Sequence, residues 1–149
     1  EMLASARNEP LLTLELPGQP PRTGVYFAFI SNSSPWTYAN ARPVWTNPDT
    51  TFETGLGGVF AITSMNVWKK NLMLVRRMVS KKPVIKAKHL IRDDDVAWVR
   101  VMADEPVASQ IDGDFLGGLR AEMTFRAVPG GALCVVAPPA EQRSDQEKK

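Results

Sequence analysis

A single cysteine and a single histidine in 149 residues remove several chemistries at once. Cys134 has no partner for an internal disulfide, and within the apolar run Ala132–Ala137 it reads as a small core residue and not as a nucleophile. His89 stands between Lys88 and Leu90 with no cysteine or acid beside it, so a zinc site or a Ser–His–Asp triad has no local support. No apolar run nears the ~20 residues of a membrane span. The opening EMLASARNEP lacks the basic-then-apolar order of a signal peptide, so the expected compartment is the cytoplasm. There is no Walker A and no G-x-G-x-x-G; Gly55-Leu56-Gly57-Gly58 is too short and lies between strand-like runs.

Acid is missing from one long stretch. Ser64–Arg92 holds nine of the chain's 18 Lys and Arg and no Asp or Glu. One reading is attraction to an anionic membrane surface, with Trp68 and the methionines touching lipid. The other is a solvated helix face whose apolar stripe packs on a sheet, and for the stripe the second is the simpler expectation. Exposed aromatics do not interleave with these charges and the formal net charge is only +2, so nucleic acid is not an expected partner.

Apolar content of 44% and charged content of 23% suit one globular domain with a real core. Leu11–Leu16 reads as a strand, Pro17–Arg22 as a turn, and Gly24–Ile30 as a strand buried on both faces. Ser31–Asn47 is polar and irregular, carrying Trp36, Tyr38 and Trp45. Gly58–Thr63 is a short strand, and Thr63 or Ser64 can cap the helix that follows. Met65–Val79 is the clearest helix, with Met65, Trp68, Leu72, Val75 and Val79 as its apolar face. Lys81-Lys82-Pro83 ends it. Val84–Ile91 then reads as a strand, Asp93-Asp94-Asp95 as a turn, and Ala97–Ala103 as another strand.

The last third is the most regular. Val107–Ile111 runs into Asp112-Gly113, a dipeptide suited to a turn because both residues tolerate positive φ. Leu119, Ala121, Met123, Phe125 and Ala127 alternate with Arg120, Glu122, Thr124 and Arg126, a period of two that separates an apolar from a polar face. Pro129-Gly130-Gly131 is a turn and Ala132–Ala137 a closing strand. Many strands, one inserted helix and no βαβ alternation predict a mainly β fold: an antiparallel two-sheet β-sandwich with one inserted amphipathic helix. The tail after Pro138, PAEQRSDQEKK, is polar and expected to be disordered over 139–149.

An acidic-Pro step, a strand, a D-G-acid-x-x-G turn, a strand, P-G-x-L and a closing V-V-x-P resemble the C-terminal end of the diacylglycerol kinase and sphingosine kinase-like lipid kinases. Ser31-Asn32 and Pro48–Val59 resemble that family's S-N strand end and its later P…D-G-x-L-D segment. The resemblance implies that residues 1–138 are the lipid-substrate lobe, incomplete at its N-terminus, and that the nucleotide-binding lobe with its G-G-D-G-T motif lies elsewhere. It implies Asp114 as acceptor of the lipid hydroxyl's proton, one methylene shorter than the family's usual glutamate, with Asp112 shaping the turn or orienting the lipid. Some bacterial members hold a structural magnesium at positions matching Thr51, Thr54 and Leu56; Thr54 stands where the family has Asp, and an ordinary loop is the competing reading. The cofactors implied are ATP and magnesium, in the intact parent. The partners implied are a diacylglycerol-like lipid alcohol and the nucleotide-binding lobe, with peripheral contact at the inner face of the membrane and a homodimer left open. A non-catalytic lipid- or membrane-surface module, a structural or oligomerising sandwich, and the related NAD kinase group are the alternatives, the last opposed by the D-G-acid turn.

Overall fold

The computed structural model describes residues 11–51, 56–65, 68–79, 86–128 and 130–131. In chain order its elements are β1 (Leu12–Glu15), β2 (Arg22–Val25), β3 (Phe27–Ser31), β4 (Thr37–Ala39), β5 (Arg42–Val44), β6 (Gly58–Ile62), α1 (Trp68–Met78), β7 (Leu90–Asp94), β8 (Trp98–Val107), β9 (Gln110–Ile111), β10 (Asp114–Phe115) and β11 (Arg120–Arg126). One sheet has the order β11-β8-β1-β2 and a second the order β3-β6-β7; β4-β5 and β9-β10 are separate small hairpins. All pairings are antiparallel. The mainly β, sandwich-like fold with one helix is the one the strand pattern predicts.

Gly24–Ile30 is not one strand buried on both faces. It breaks at Tyr26 and changes sheets there. Val25 pairs with Leu12 in the first sheet, whereas Phe27 pairs with Ile62 in the second. Gly24 takes a φ of +75° and the β1–β2 register slips between Leu12 and Leu14, the kind of irregularity that turns a strand from one sheet into another. Phe27 is left exposed at that corner.

The core lies between the sheets. Leu14, Leu16, Val25 and Val99 from the first meet Val59, Ala61 and Ile91 from the second, with Val96 from the β7–β8 corner. Fully burying side chains such as Leu14, Val25, Val59 and Val99 contributes about 1.5–3 kcal/mol each. Period-two alternation then points Phe60 and Leu90 to the outer face of the second sheet. There Phe60 packs with Leu74 and Met78 of α1 and with Phe29, Trp45 and Ile62.

That packing corrects the expected helix face. The inward set is Asn71, Leu74 and Met78, spaced three and four apart, while Met65, Leu72 and Val75 are exposed. Asn71 accounts for the rotation: its Oδ1 accepts from His89 Nε2 at 2.8 Å and its Nδ2 donates to the Ser64 carbonyl, so a polar residue occupies the inner face. Two other expectations shift. Of the strand placed at Val84–Ile91, residues 84–85 lie outside the described residues and 86–89 are not strand; β7 runs from Leu90 through Asp93 and Asp94, so the bend falls at Asp95, with φ +54°. The irregular Ser31–Asn47 contains the β4–β5 hairpin, turned at Asn40 with φ +56°. The helix cap adjoins residues 66–67, and the closing strand, Cys134 and the tail all lie outside the described residues.

Candidate functional site

Asp112 and Gly113 link β9 to β10 and both have positive φ, +52° and +93°. Two consecutive residues of that kind make the two-residue hairpin turn whose twist matches the flanking strands. The Leu116 N–H donates to the Ser109 carbonyl at 3.1 Å, closing the base of the hairpin. Asp114 pairs with Ile111, and Phe115 with Gln110. Directly opposed residues share a face, so Asp114 sits beside Ile111. Asp112, Asp114, Ile111 and Phe115 are all exposed, as is Leu119 beyond them. Both carboxylates are exposed on this hairpin, Asp112 in its turn and Asp114 on the face it shares with Ile111, while Phe115 lies on the other face with Gln110. An exposed carboxylate of this kind can take a proton from an alcohol brought to it.

The hairpin also has a defined place on the sandwich. It extends from the end of β8 where Ala103 pairs with Leu12 and Leu12 with Val25. Val25 leads through Tyr26 to Phe27, which pairs with Ile62, the residue that ends β6 and leads into α1. The tip and the start of α1 therefore belong to the same end of the molecule.

Thr51, Thr54 and Leu56 are a different case. Thr54 lies outside the described residues. The Thr51 N–H donates to both carboxylate oxygens of Asp95, at 2.9 and 3.0 Å, and the Leu56 N–H donates to the Val96 carbonyl at 2.9 Å. These bonds tie the loop to the β7–β8 corner through protein groups. Thr51 and Leu56 offer only neutral oxygens, whereas magnesium favours carboxylate ligands. Among the described residues, no three His, Cys, Asp or Glu side chains gather into a metal-binding group. The two described residues, Thr51 and Leu56, are by themselves a poor match to a magnesium ion.

No family model, curated protein or solved structure matches the chain. Nor, among the described residues, is any helix long and apolar enough to cross a membrane.

Sequence reasoning missed the densest polar cluster. Asn47 is 1% exposed, and its Nδ2 donates to the Val59 and Asp93 carbonyls at 3.2 Å and to Asp94 Oδ1 at 2.6 Å. Ser34 Oγ donates to the Asn47 carbonyl at 2.8 Å. Arg92 bridges Asp94 and Asp49, the latter at 2.6 Å. Burial opposes the Arg92 charge, but the hydrogen bonds and attraction of Asp94 and Asp49 outweigh it, and the guanidinium is held more firmly protonated than usual. An open groove of about 390 Å³ runs beside this cluster, lined by Asp49, Lys86, Leu90, Arg92 and Asp94. Its Arg92, Asp49 and Asp94 are already paired with each other, and it lies along β7 and not at the hairpin tip. The only signal in the sequence was three consecutive acids, which read equally well as a solvated turn.

Proposed function

We propose that the chain is the substrate-side lobe of a diacylglycerol kinase-like lipid kinase, acting within a longer parent protein. The single observation that carries this reading is the Asp112-Gly113-Asp114 tip, two exposed carboxylates on a hairpin that also exposes Ile111 and Phe115, with Leu119 exposed further along the chain. A kinase acting on a lipid alcohol needs a carboxylate within hydrogen-bond reach of a hydroxyl whose tail is apolar. Asp114 takes the hydroxyl proton as the lipid oxygen attacks the γ-phosphorus; the bond to the β,γ-bridging oxygen breaks and ADP leaves. Asp112 holds the turn and helps orient the lipid. ATP and its magnesium belong to the nucleotide-binding lobe, because no motif in these residues cradles a triphosphate. The reaction would run at the cytoplasmic face of a membrane.

The test uses the longest reading frame that contains Glu1–Lys149. Its product should carry a G-G-D-G-T lobe and phosphorylate a diacylglycerol-like lipid. Asp114→Asn should lower kcat by about 10²–10⁴-fold, the usual weight of a general base. The 149 residues alone should not turn over. A frame without such a lobe, or an Asp114→Asn enzyme with full activity, would sink the reading.

A second reading is favoured by the exposed apolar side chains themselves. A non-catalytic lipid- or membrane-surface module needs Ile111, Phe115 and Leu119 exposed but has no use for the carboxylates. It would bind vesicles equally well with Asp114→Asn and would show no phosphoryl transfer in any longer product.

A further inference from the structure

We propose that the outward face of α1 docks on an anionic lipid surface. The inference rests on the lipid-directed reading above for its purpose, but on different residues for its support. Leu72, Met73 and Val75 are 48%, 55% and 56% exposed, and Met65, just before the helix, is 55% exposed. Leu74 and Met78 are held against Phe60 and Leu90 on the opposite side, so the outward residues cannot turn in without unpacking the helix. Arg76 and Arg77 are exposed and interleaved with this apolar set, and Lys86 and Lys88 are exposed shortly beyond it. No Asp or Glu occurs anywhere from Ser64 to Arg92.

The charge decides the occupant. A second copy would set this basic face against its own like, which repels. An anionic bilayer supplies what both halves of the face require: negative headgroups for the arginines and lysines, and an acyl boundary for Leu72, Met73 and Val75. Topology adds a consequence. Because α1 starts toward the end of the sandwich from which the β9–β10 hairpin extends, a membrane touching α1 meets the molecule on the side of that end. Docking would then bring the lipid hydroxyl toward the carboxylate without the chain having to extract the lipid into water.

The test is vesicle co-sedimentation of the 149-residue chain, with phosphatidylglycerol-containing and pure phosphatidylcholine vesicles at low and high salt. Binding should favour the anionic vesicles and weaken with salt. Arg76→Gln with Arg77→Gln should lower partitioning by about 30-fold, from roughly fivefold for each basic residue removed from an anionic surface. Leu72→Ser with Val75→Ser should lower it by about tenfold or more. Circular dichroism should be unchanged for both, since these side chains contribute no core packing. Asp114→Asn should not lower partitioning, so a failed kinase reading and a failed docking surface give different results. Equal affinity for both vesicle types, or undiminished binding by both double variants, overturns the proposal. So does a change of oligomeric state on Leu72→Ser in lipid-free solution, which would assign the face to a second copy.

Discussion

The chain has two acidic triplets, Asp93-Asp94-Asp95 and Asp112-Gly113-Asp114, and they are used in opposite ways. In the first, every carboxylate is engaged: Asp93 accepts from Gln19 Nε2, Asp94 from Asn47 and Arg92, and Asp95 from the Thr51 N–H. These bonds stitch the β1–β2 turn, the Asn47 loop and the Thr51 loop to the β7–β8 corner. In the second, the two carboxylates stand on an exposed hairpin tip, and among the described residues neither has an ion-pair partner within 4.0 Å. A carboxylate already holding several donors is poorly placed to receive a substrate proton, whereas an exposed one is available. Acid density is thus no guide to chemistry here; engagement is.

The contrast can be broken most severely at Gly58. Its φ is +145°, and a Cβ there would stand 2.5 Å from the Asp93 carbonyl oxygen and against the Asn47 amide. Gly58→Ala should therefore destabilise by about 3 kcal/mol, through backbone strain and overpacking together; urea unfolding measures it, and a change below about 1 kcal/mol would show that the corner yields more readily than its contacts imply. Asp94→Ala removes a partner from both the buried Asn47 amide and the Arg92 guanidinium, and should cost about 2–3 kcal/mol. At the hairpin the same chemistry should cost almost nothing. Asp112→Asn with Asp114→Asn, which keeps a residue suited to the positive φ at 112, should move stability by no more than about 0.5 kcal/mol, as for surface positions without partners. A loss as large as that of Asp94→Ala would make the hairpin acids structural and remove the ground for assigning them a reaction.

Local pattern carried the fold a long way. The D-G dipeptide predicted a tight turn, and both residues take positive φ. The alternation over Leu119–Ala127 became β11, with Met123 and Phe125 half-buried and Arg120, Glu122, Thr124 and Arg126 exposed. What failed was everything set by tertiary partners. Gly24–Ile30 is uniformly apolar, and periodicity cannot show a strand dividing its pairing between two sheets at Tyr26. The α1 stripe failed because Leu72, Leu74, Val75 and Met78 are all apolar, so composition permits two inward faces; Asn71 meeting His89, 18 residues away, selects between them. The Arg92–Asp49–Asp94–Asn47 cluster joins residues up to 47 apart, and no local motif announces it. At the candidate site the hairpin and its acids were readable in sequence, whereas the tie between the Thr51 loop and Asp95 was not.

The mildest test concerns the outer face of the first sheet, where a third pattern of acid use occurs. Arg100 Nε donates to Glu122 at 2.8 Å and Nη1 to Glu15 at 3.2 Å, a row of charges across β11, β8 and β1. The hydrogen bond from Arg100 holds the Glu122 carboxyl below the usual carboxylate range, with Coulomb attraction adding to it and desolvation opposing it. A carboxyl whose folded pKa is depressed binds its proton less readily in the folded chain than in the unfolded one. Its contribution is therefore present above the ordinary glutamate pKa and is lost as pH falls through the folded value. Arg100→Gln should abolish that component, so wild type and variant should converge in thermal stability as the pH drops below the ordinary range, with the difference at neutral pH shrinking in high salt. The row is solvent-exposed, so the separation should be the smallest of those described here. A wild-type advantage that persisted unchanged into acid would mean that Arg100 acts through packing of its stem against Trp98 and Met102 and not through its charge.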